Sequence, residues 1–235
     1  MLEALDGLVD FLVPRICPVC RRRMLRPERG MCLDCHTALP VIDTPSDIHD
    51  VVFRRLGHRQ LNGIARSWFY YDPDGPYAAL IRSAKYARMP ELGRMLGRQY
   101  ACWLMSEPDT AAALATVDAV VPVPMHWWKY LRRGYNQAEY IADGIAREIG
   151  CEVAHYLDMP RPRQVQARKN AAERIANARG KFSLAVHPDS IRGRHILLVD
   201  DLITTGATAS EALLTLHAAA PATLSLLTLA LTMRR

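Results

Sequence analysis

The sequence predicts an α/β protein in which a parallel β-sheet carries helices on both faces, with a small cysteine-rich module before it. Two observations carry the fold class. Strand-like and helix-like segments alternate along residues 117–231, and residues 195–199 (HILLV) form a near-continuous apolar run typical of a strand buried on both faces. Two CxxC pairs mark the separate module. We therefore divide the chain into residues 1–48, a helix and cysteine module, and residues 49–235, the α/β domain.

The elements before residue 117 follow from apolar periodicity and from Pro90, which can begin a helix. In chain order we expect an amphipathic helix at 2–13, strands at 51–56 and 64–72, helices at 76–87 and 90–105, and a loop at 106–116. The later segments are expected to be strands at 117–124, 151–157, 195–199 and 223–231, helices at 136–149 and 207–219, a basic loop at 126–135 and a polar stretch at 158–181.

Charge is concentrated in one part of this 235-residue chain. The net charge is +6, and residues 120–182 hold eleven Lys and Arg against six Asp and Glu. An anionic ligand is therefore expected to bind there. The first residues lack the basic region and cleavage site of a secretory signal, and no apolar run reaches the roughly 18 residues that a membrane span requires. We expect a cytoplasmic protein without a membrane span, whose cysteines are reduced or metal-bound.

The two CxxC pairs, Cys17 with Cys20 and Cys32 with Cys35, are separated by eleven residues. Two such pairs supply the four thiolates of a tetrahedral zinc site, and four protein ligands leave no open position for catalysis. Free thiols or a redox pair are the alternatives, but a redox pair would leave the second CxxC unexplained. We therefore expect one structural zinc ion.

A buried strand that ends in two acids is the strongest functional pattern. Asp200 and Asp201 follow residues 195–199, and a hydroxyl-rich loop leads into a helix. That loop contains Thr204, Thr205, Gly206, Ala207 and Thr208. Helix amino termini favour phosphate, and the acids suit ribose hydroxyls or a magnesium ion shared with a phosphate. An ordinary helix cap would need only one such residue. No Lys follows a Gly at the spacing of a P-loop.

A second candidate for anion binding follows residues 121–124 (VPVP). It contains three cations and a glycine, namely Lys129, Arg132, Arg133 and Gly134. We interpret it as a cradle for a diphosphate, with Asn136 as the cap of the next helix. The alternative is a solvated basic loop. Trp127 and Trp128 are expected to pack on the core or to form a contact between domains, although stacking on nucleic-acid bases is also open.

Two motifs resemble known families. Residues 196–208 resemble the signature of type I phosphoribosyltransferases that binds phosphoribosyl pyrophosphate (PRPP): an apolar run, two acids, then Thr-Thr-Gly-x-Thr. Residues 133–137 (RGYNQ), with the CxxC pairs before them and this signature after them, resemble the ComF/GntX family of competence-associated proteins. Lys85 lies in a stretch that matches the same family, but as a lone Lys at a helix end we expect it to be a partner of the helix dipole.

The resemblance implies a type I phosphoribosyltransferase-like fold that binds PRPP and Mg²⁺. Asp200 and Asp201 would bind the ribose, and residues 204–208 the 5′-phosphate. Residues 161–182 would be a loop that closes over the substrate, with Arg168, Lys169 and Arg174 as catalytic candidates. The match through this loop is imperfect: Arg163 and Lys169 stand where the family often has Thr and Leu. A shifted register through Gln164 instead of Gln166 is open, and so is a basic surface linker or an arm that contacts RNA or DNA.

Two functions from different classes remain open. One is a phosphoribosyltransferase with an unidentified acceptor. The other is a non-catalytic module that binds single-stranded DNA or the DNA-uptake machinery, the partners that the ComF resemblance implies. Relatives named GntX have been linked to carbon-source use, so the resemblance does not fix the process.

Overall fold

The computed structural model describes residues 14–42, Val52, Leu56, 61–86, 89–159 and 181–232. The expected helix at 2–13 and most of the polar stretch at 158–181, including Arg168, Lys169 and Arg174, lie outside the described residues. The helices are α1 (Leu33–Thr37), α2 (Ala78–Tyr86), α3 (Pro90–Met105), α4 (Pro108–Leu114), α5 (Trp127–Arg133), α6 (Gln137–Ile149) and α7 (Ala207–His217). The strands are β1 (Ala65–Tyr71), β2 (Ala119–Pro122), β3 (Leu157–Asp158), β4 (Ser183–Leu184), β5 (His195–Ile203) and β6 (Thr223–Thr232).

Four strands form a parallel sheet in the order β1-β6-β5-β2. β5 is central and pairs with β6 along most of its length and with β2 on its other side; Leu198 lies opposite Leu226 and Val121. β3 and β4 form a separate antiparallel pair of two residues each. The parallel sheet confirms the predicted fold class.

Both faces of the sheet are buried, because side chains of β5 alternate between two cores. Ile196 and Leu198 belong to one core, with residues of α7, whereas Leu197 and Val199 belong to the other, with residues of α3 and α6. This arrangement explains the near-continuous apolar run at 195–199, since a parallel strand covered on both sides has no solvent-facing positions. It also confirms helices on both faces.

Two glycines let α3 and α6 pack at close range. A Cβ added at Gly97 would lie 2.3 Å from the Ile141 carbonyl oxygen, and one at Gly144 would lie 2.2 Å from the Arg94 carbonyl oxygen. Ion pairs border the contact: Arg94 with Asp143, and Arg98 with Glu148 at 3.0 Å. The helix pair therefore depends on the absence of side chains at these glycines.

The structure corrects several expected elements. The expected loop at 106–116 contains α4, which begins at Pro108 and buries Leu114; alanines gave its pattern little contrast. The expected strand at 151–157 is reduced to one bridge, Val153 with Val120, and to β3. Val52 and Leu56 have helical backbone and lie in the core, so the strand at 51–56 is wrong at these two positions. The expected basic loop at 126–135 contains α5.

The cysteine-bearing segment packs on the core of the sheet. Cys17, Met31 and Cys35 share one hydrophobic cluster with Trp68. The Tyr77 hydroxyl donates to the Cys35 carbonyl oxygen at 3.0 Å, and Val41 forms an antiparallel bridge with Phe69 of β1. The division of the chain between residues 48 and 49 stays a prediction.

Within the described ranges, no helix combines the length and the apolar content that crossing a membrane requires.

The glycine contact gives a testable prediction with a matched control on the same helix. Gly97→Ala should lower the free energy of unfolding by about 1–3 kcal/mol, because its methyl group would overlap backbone that cannot move alone. Gly93→Ala gains the same helix propensity, but its Cβ would lie 3.2 Å from a side-chain carbon, Tyr140 Cβ. Gly93→Ala should therefore lower the free energy of unfolding much less than Gly97→Ala. Urea unfolding of both variants measures the difference, and equal midpoints would contradict the proposed contact.

Candidate functional site

A cavity of about 300 Å³ opens where β2 and β5 end at the same edge of the sheet. Strand ends at this edge are where open parallel sheets bind ligands. Its lining comes from segments far apart in the sequence. The polar residues that line it are Lys85, His126, Lys129, Arg133, Asn136, Gln137, Lys181, Asp200, Asp201, Thr204, Thr205 and Thr208.

The two acids lie inside β5, which continues to Ile203, and not after the strand as the sequence suggested. Both side chains are half-buried, and Asp200 Oδ1 accepts a hydrogen bond from the Asp201 amide at 2.8 Å. Burial, and next the negative charge of Asp201, raise the pKa of Asp200 to about 7. The pair therefore favours a cation or hydroxyl donors beside it.

Lys85 supplies such a charge. Its Nζ lies 2.7 Å from Asp201 Oδ2, and its carbonyl oxygen accepts from Gln137 Nε2 at 3.4 Å. From its sequence context Lys85 is expected to be a partner of the helix dipole, whereas the structure places it in the cavity beside the acids. Nothing local in the sequence identifies this contact, because 115 positions separate the two residues.

The whole hydroxyl-rich loop, residues 204–208, lines the cavity as predicted. Gly206 has a φ of +85°, a left-handed conformation that glycine adopts without strain, and it precedes α7. Thr205 Oγ1 accepts from the Ala207 amide at 3.4 Å, and Lys181 Nζ donates to Thr208 Oγ1 at 3.1 Å. Hydroxyls, a lysine and the amino terminus of α7 thus meet at one place, which suits a phosphate.

The basic segment forms helix α5, so only some of its cations point to the cavity side and line the cavity. Lys129 and Arg133 are four residues apart on α5 and both line the cavity. Arg132 and Gly134 are exposed and are not among the lining residues, so their part in diphosphate binding stays a prediction. Gly134 ends α5 with a φ of +84°.

Asn136 caps α6, as predicted. Its Oδ1 accepts from the Ala138 amide at 3.3 Å, and its Nδ2 donates to the Val123 carbonyl oxygen at 3.0 Å. This bond ties the start of α6 to the end of β2. Beside it, Arg133 Nη1 donates to Gln137 Oε1 at 2.9 Å, which holds one cavity cation.

The outer face of α5 exposes aromatic rings. Trp128 is 64% exposed, and its ring stacks on that of Trp127 with centroids 4.7 Å apart. Tyr130 and Leu131 are also exposed. The expectation that both tryptophans pack on the core is wrong for Trp128, because a short helix at the surface cannot turn all its side chains inward.

The four cysteines converge. The sulfur atoms of Cys17, Cys20, Cys32 and Cys35 all lie within 4.8 Å of one another. Burial opposes the Cys32 thiolate, but hydrogen bonds from the Cys35 amide and the Arg22 side chain outweigh burial and lower the pKa of Cys32 to about 6. Four close thiols, with one readily ionised, can hold a metal ion such as zinc.

Comparison with models of known protein families finds no match. Among individual proteins, DNA utilization protein YhgH of Escherichia coli K12 is 27% identical over 83% of this chain and 81% of its own length. Competence protein F of Haemophilus influenzae is 30% identical over 58% of this chain and 59% of its own length. Competence protein ComFC of Bacillus subtilis is 30% identical over 38% of this chain and 34% of its own length.

A solved structure, glutamine PRPP amidotransferase from B. subtilis complexed with ADP and GMP, aligns with 60% of this chain. The TM-score is 0.39 and the identity 22%, and the aligned part is 26% of that chain, so we base no argument on this likeness. The curated relatives carry competence and DNA-utilization names, and the E. coli protein aligns over 83% of the chain. These similarities, at 27–30% identity, support the predicted resemblance to the ComF/GntX family.

Proposed function

We propose that this protein is a competence-linked, phosphoribosyltransferase-like protein whose cavity binds PRPP with Mg²⁺. One observation carries the proposal: the acid pair, the hydroxyl-rich loop and two cations of α5 line the same cavity. PRPP needs all three kinds of partner, because it joins a ribose with free hydroxyls to a 5′-phosphate and a diphosphate.

Each part of PRPP has a matching group. Asp200 and Asp201 accept hydrogen bonds from the ribose hydroxyls through their carboxylate oxygens. Residues 204–208 and the amino terminus of α7 hold the 5′-phosphate. Lys129 and Arg133 face the diphosphate, where charged hydrogen bonds are strongest. Arg168, Lys169 and Arg174 are proposed to close over it.

The acid pair also fits magnesium. Magnesium prefers hard oxygen ligands and is usually held by one or two carboxylates together with substrate phosphates. Asp200 and Asp201 would be those carboxylates, and burial first and the charge of Asp201 second, which raise the pKa of Asp200, are both reasons why a cation beside the pair would be favourable. When bound, Mg²⁺ neutralises charge on the diphosphate.

In a transfer reaction, the bond between the anomeric carbon and the diphosphate breaks and the acceptor takes the ribose. Positive charge develops on the ribose and negative charge on the leaving diphosphate. The carboxylates can stabilise the positive charge on the ribose, and Lys129 and Arg133 can stabilise the negative charge on the diphosphate. Whether the protein turns PRPP over is decided by release of pyrophosphate in the presence of an acceptor; a binding module would release none.

Removing the acid charges tests PRPP binding. The double variant Asp200→Asn, Asp201→Asn should fold but bind PRPP at least about a hundredfold more weakly, because each lost charged hydrogen bond costs about 1.5–3 kcal/mol. Isothermal calorimetry with Mg²⁺ measures the affinity. Asp189→Asn, which removes an exposed acid outside the cavity lining, is the matched control and should bind like the wild type. Unchanged affinity in the double variant would refute the site.

We also propose that Cys17, Cys20, Cys32 and Cys35 hold a structural zinc ion. The supporting observations are their mutual proximity and the burial of three of the four. The segment between the pairs is short and charged, so a metal is the available means of holding it together. Zinc contributes about 10–16 kcal/mol in small modules of this kind.

Elemental analysis tests the zinc proposal. Protein purified without chelator should contain about one zinc per chain. Cys32→Ser should lose most of it, because three thiolates and a hydroxyl bind zinc poorly. Cys102→Ser removes an exposed cysteine of α3 that is outside the cluster and should keep the metal. Wild-type protein with almost no zinc, or equal zinc in both variants, is the contrary result.

A second candidate function is binding of single-stranded DNA, which the names of the relatives suggest. The specific observation is the outer face of α5, where exposed stacked rings stand beside cations, as in surfaces that stack bases and track phosphates. The cysteine module offers a rival surface with several exposed arginines, which are Arg21, Arg22, Arg23, Arg26 and Arg29. Partners in the DNA-uptake machinery belong to the same proposal.

Two surface variants separate these surfaces. Trp128→Ala with Arg132→Ala should weaken binding of a single-stranded oligonucleotide, since stacking contributes about 1–3 kcal/mol per base. Arg21, Arg22 and Arg23 all changed to Ala should then have little effect. Fluorescence anisotropy over a series of salt concentrations measures both, and binding should fall as salt rises. Loss only in the arginine variant would move the site to the cysteine module, and loss in neither would end the DNA proposal.

A further inference from the structure

One side chain already fills part of the proposed ligand site. The Lys85 ammonium lies 2.7 Å from Asp201 Oδ2, with the Lys85 side chain 20% exposed and the Asp201 side chain 15% exposed. Asp201 Oδ2 is buried and, among the described residues, accepts no hydrogen bond, so the contact is an ion pair. Lys85 stands at the last turn of α2, whereas Asp201 lies on β5.

The pair poses an electrostatic problem for any other cation. Two adjacent, partly buried carboxylates on β5 repel each other, and one ammonium compensates one of them. A divalent ion bound to Asp201 would stand next to this ammonium, and the repulsion between the two cations would weaken the binding of both. The ion therefore binds more strongly if the ammonium moves away.

We propose that Lys85 is a resident counter-cation of Asp201 that a divalent metal ion must displace, which makes metal binding depend on the diphosphate. The inference rests on the proposed PRPP site and adds a cause for ordered binding. Without PRPP, the ion competes with an ammonium that is already attached to the chain. With PRPP, the displaced ammonium gains a new anionic partner, because Lys85 lines the same cavity as Lys129 and Arg133. Lys85 thus exchanges a carboxylate for a phosphate.

The exchange predicts that removing the Lys85 charge raises the affinity for a divalent metal ion in the absence of PRPP. We expect Lys85→Met to bind Mn²⁺, used as a probe for Mg²⁺ without PRPP, about tenfold or more tightly than the wild type. Electron paramagnetic resonance of free Mn²⁺ measures the affinity. Lys181→Met is the control for general cavity charge, because that lysine also lies near Asp200 but donates to Thr208 and forms no ion pair with Asp201, so it should gain less than Lys85→Met. Lys85→Arg keeps the charge and should bind Mn²⁺ as weakly as the wild type.

Further variants test whether the gain in Mn²⁺ affinity arises at Asp201. Adding Asp201→Asn to Lys85→Met should remove the gain, since the contested oxygen would no longer be charged. Circular dichroism checks folding, and Lys85→Gln serves as a second variant if Lys85→Met does not fold. Equal Mn²⁺ affinity in wild type and a folded Lys85 variant, or the same gain in Lys181→Met, would overturn the proposal.

Rejection of the Lys85 exchange can be distinguished from rejection of the proposed PRPP site. PRPP binding to the wild type with unchanged Mn²⁺ affinity in the Lys85 variants would leave the PRPP site standing and reject the exchange. A gain in Mn²⁺ affinity together with no PRPP binding would reject the PRPP site and leave Lys85 as a competitor for the metal.

Discussion

The charge of two carboxylates on a buried strand is the constraint on which the candidate site depends. β5 has no free face up to Val199, and it keeps its sheet pairing through Asp200, which lies opposite Thr228. The strand then continues to Ile203, so the acids cannot turn away into solvent. Positive groups around the acids compensate this charge. Lys85 pairs with Asp201, other cations line the cavity, and the amino terminus of α7 also lines it.

The close packing of α3 and α6 positions the other side of the cavity. With no side chains at Gly97 and Gly144, the backbones of α3 and α6 approach each other closely. Asn136, the cap of α6, donates to the carbonyl oxygen of Val123, just after β2. α5 immediately precedes this cap, and its Lys129 and Arg133 line the same cavity as the two acids. The packing of two helices therefore helps to place these cations in the cavity.

The sequence predicted the parts of the fold and site that depend on local pattern. The apolar run of β5, the acid pair, the loop at 204–208 and the CxxC pairs are each contained in a few consecutive residues. α4 was missed because an alanine-rich helix has little amphipathic contrast, and α5 because its side chains are mostly exposed. Lys85, His126 and Gln137 were not recognised as cavity residues, since their roles follow from the packing of separate segments. No short pattern encodes such proximity.

The same dependence on packing connects the cysteine cluster to the cavity. Tyr77, just before α2, donates its hydroxyl to the carbonyl oxygen of Cys35 at 3.0 Å, and Lys85 stands near the other end of this nine-residue helix. The Lys85 carbonyl oxygen, at the other end of the helix, accepts from Gln137 of α6. The backbone from which the Lys85 side chain reaches Asp201 is therefore held from both sides, by the cysteine segment through α2 and by the helix pair through α6.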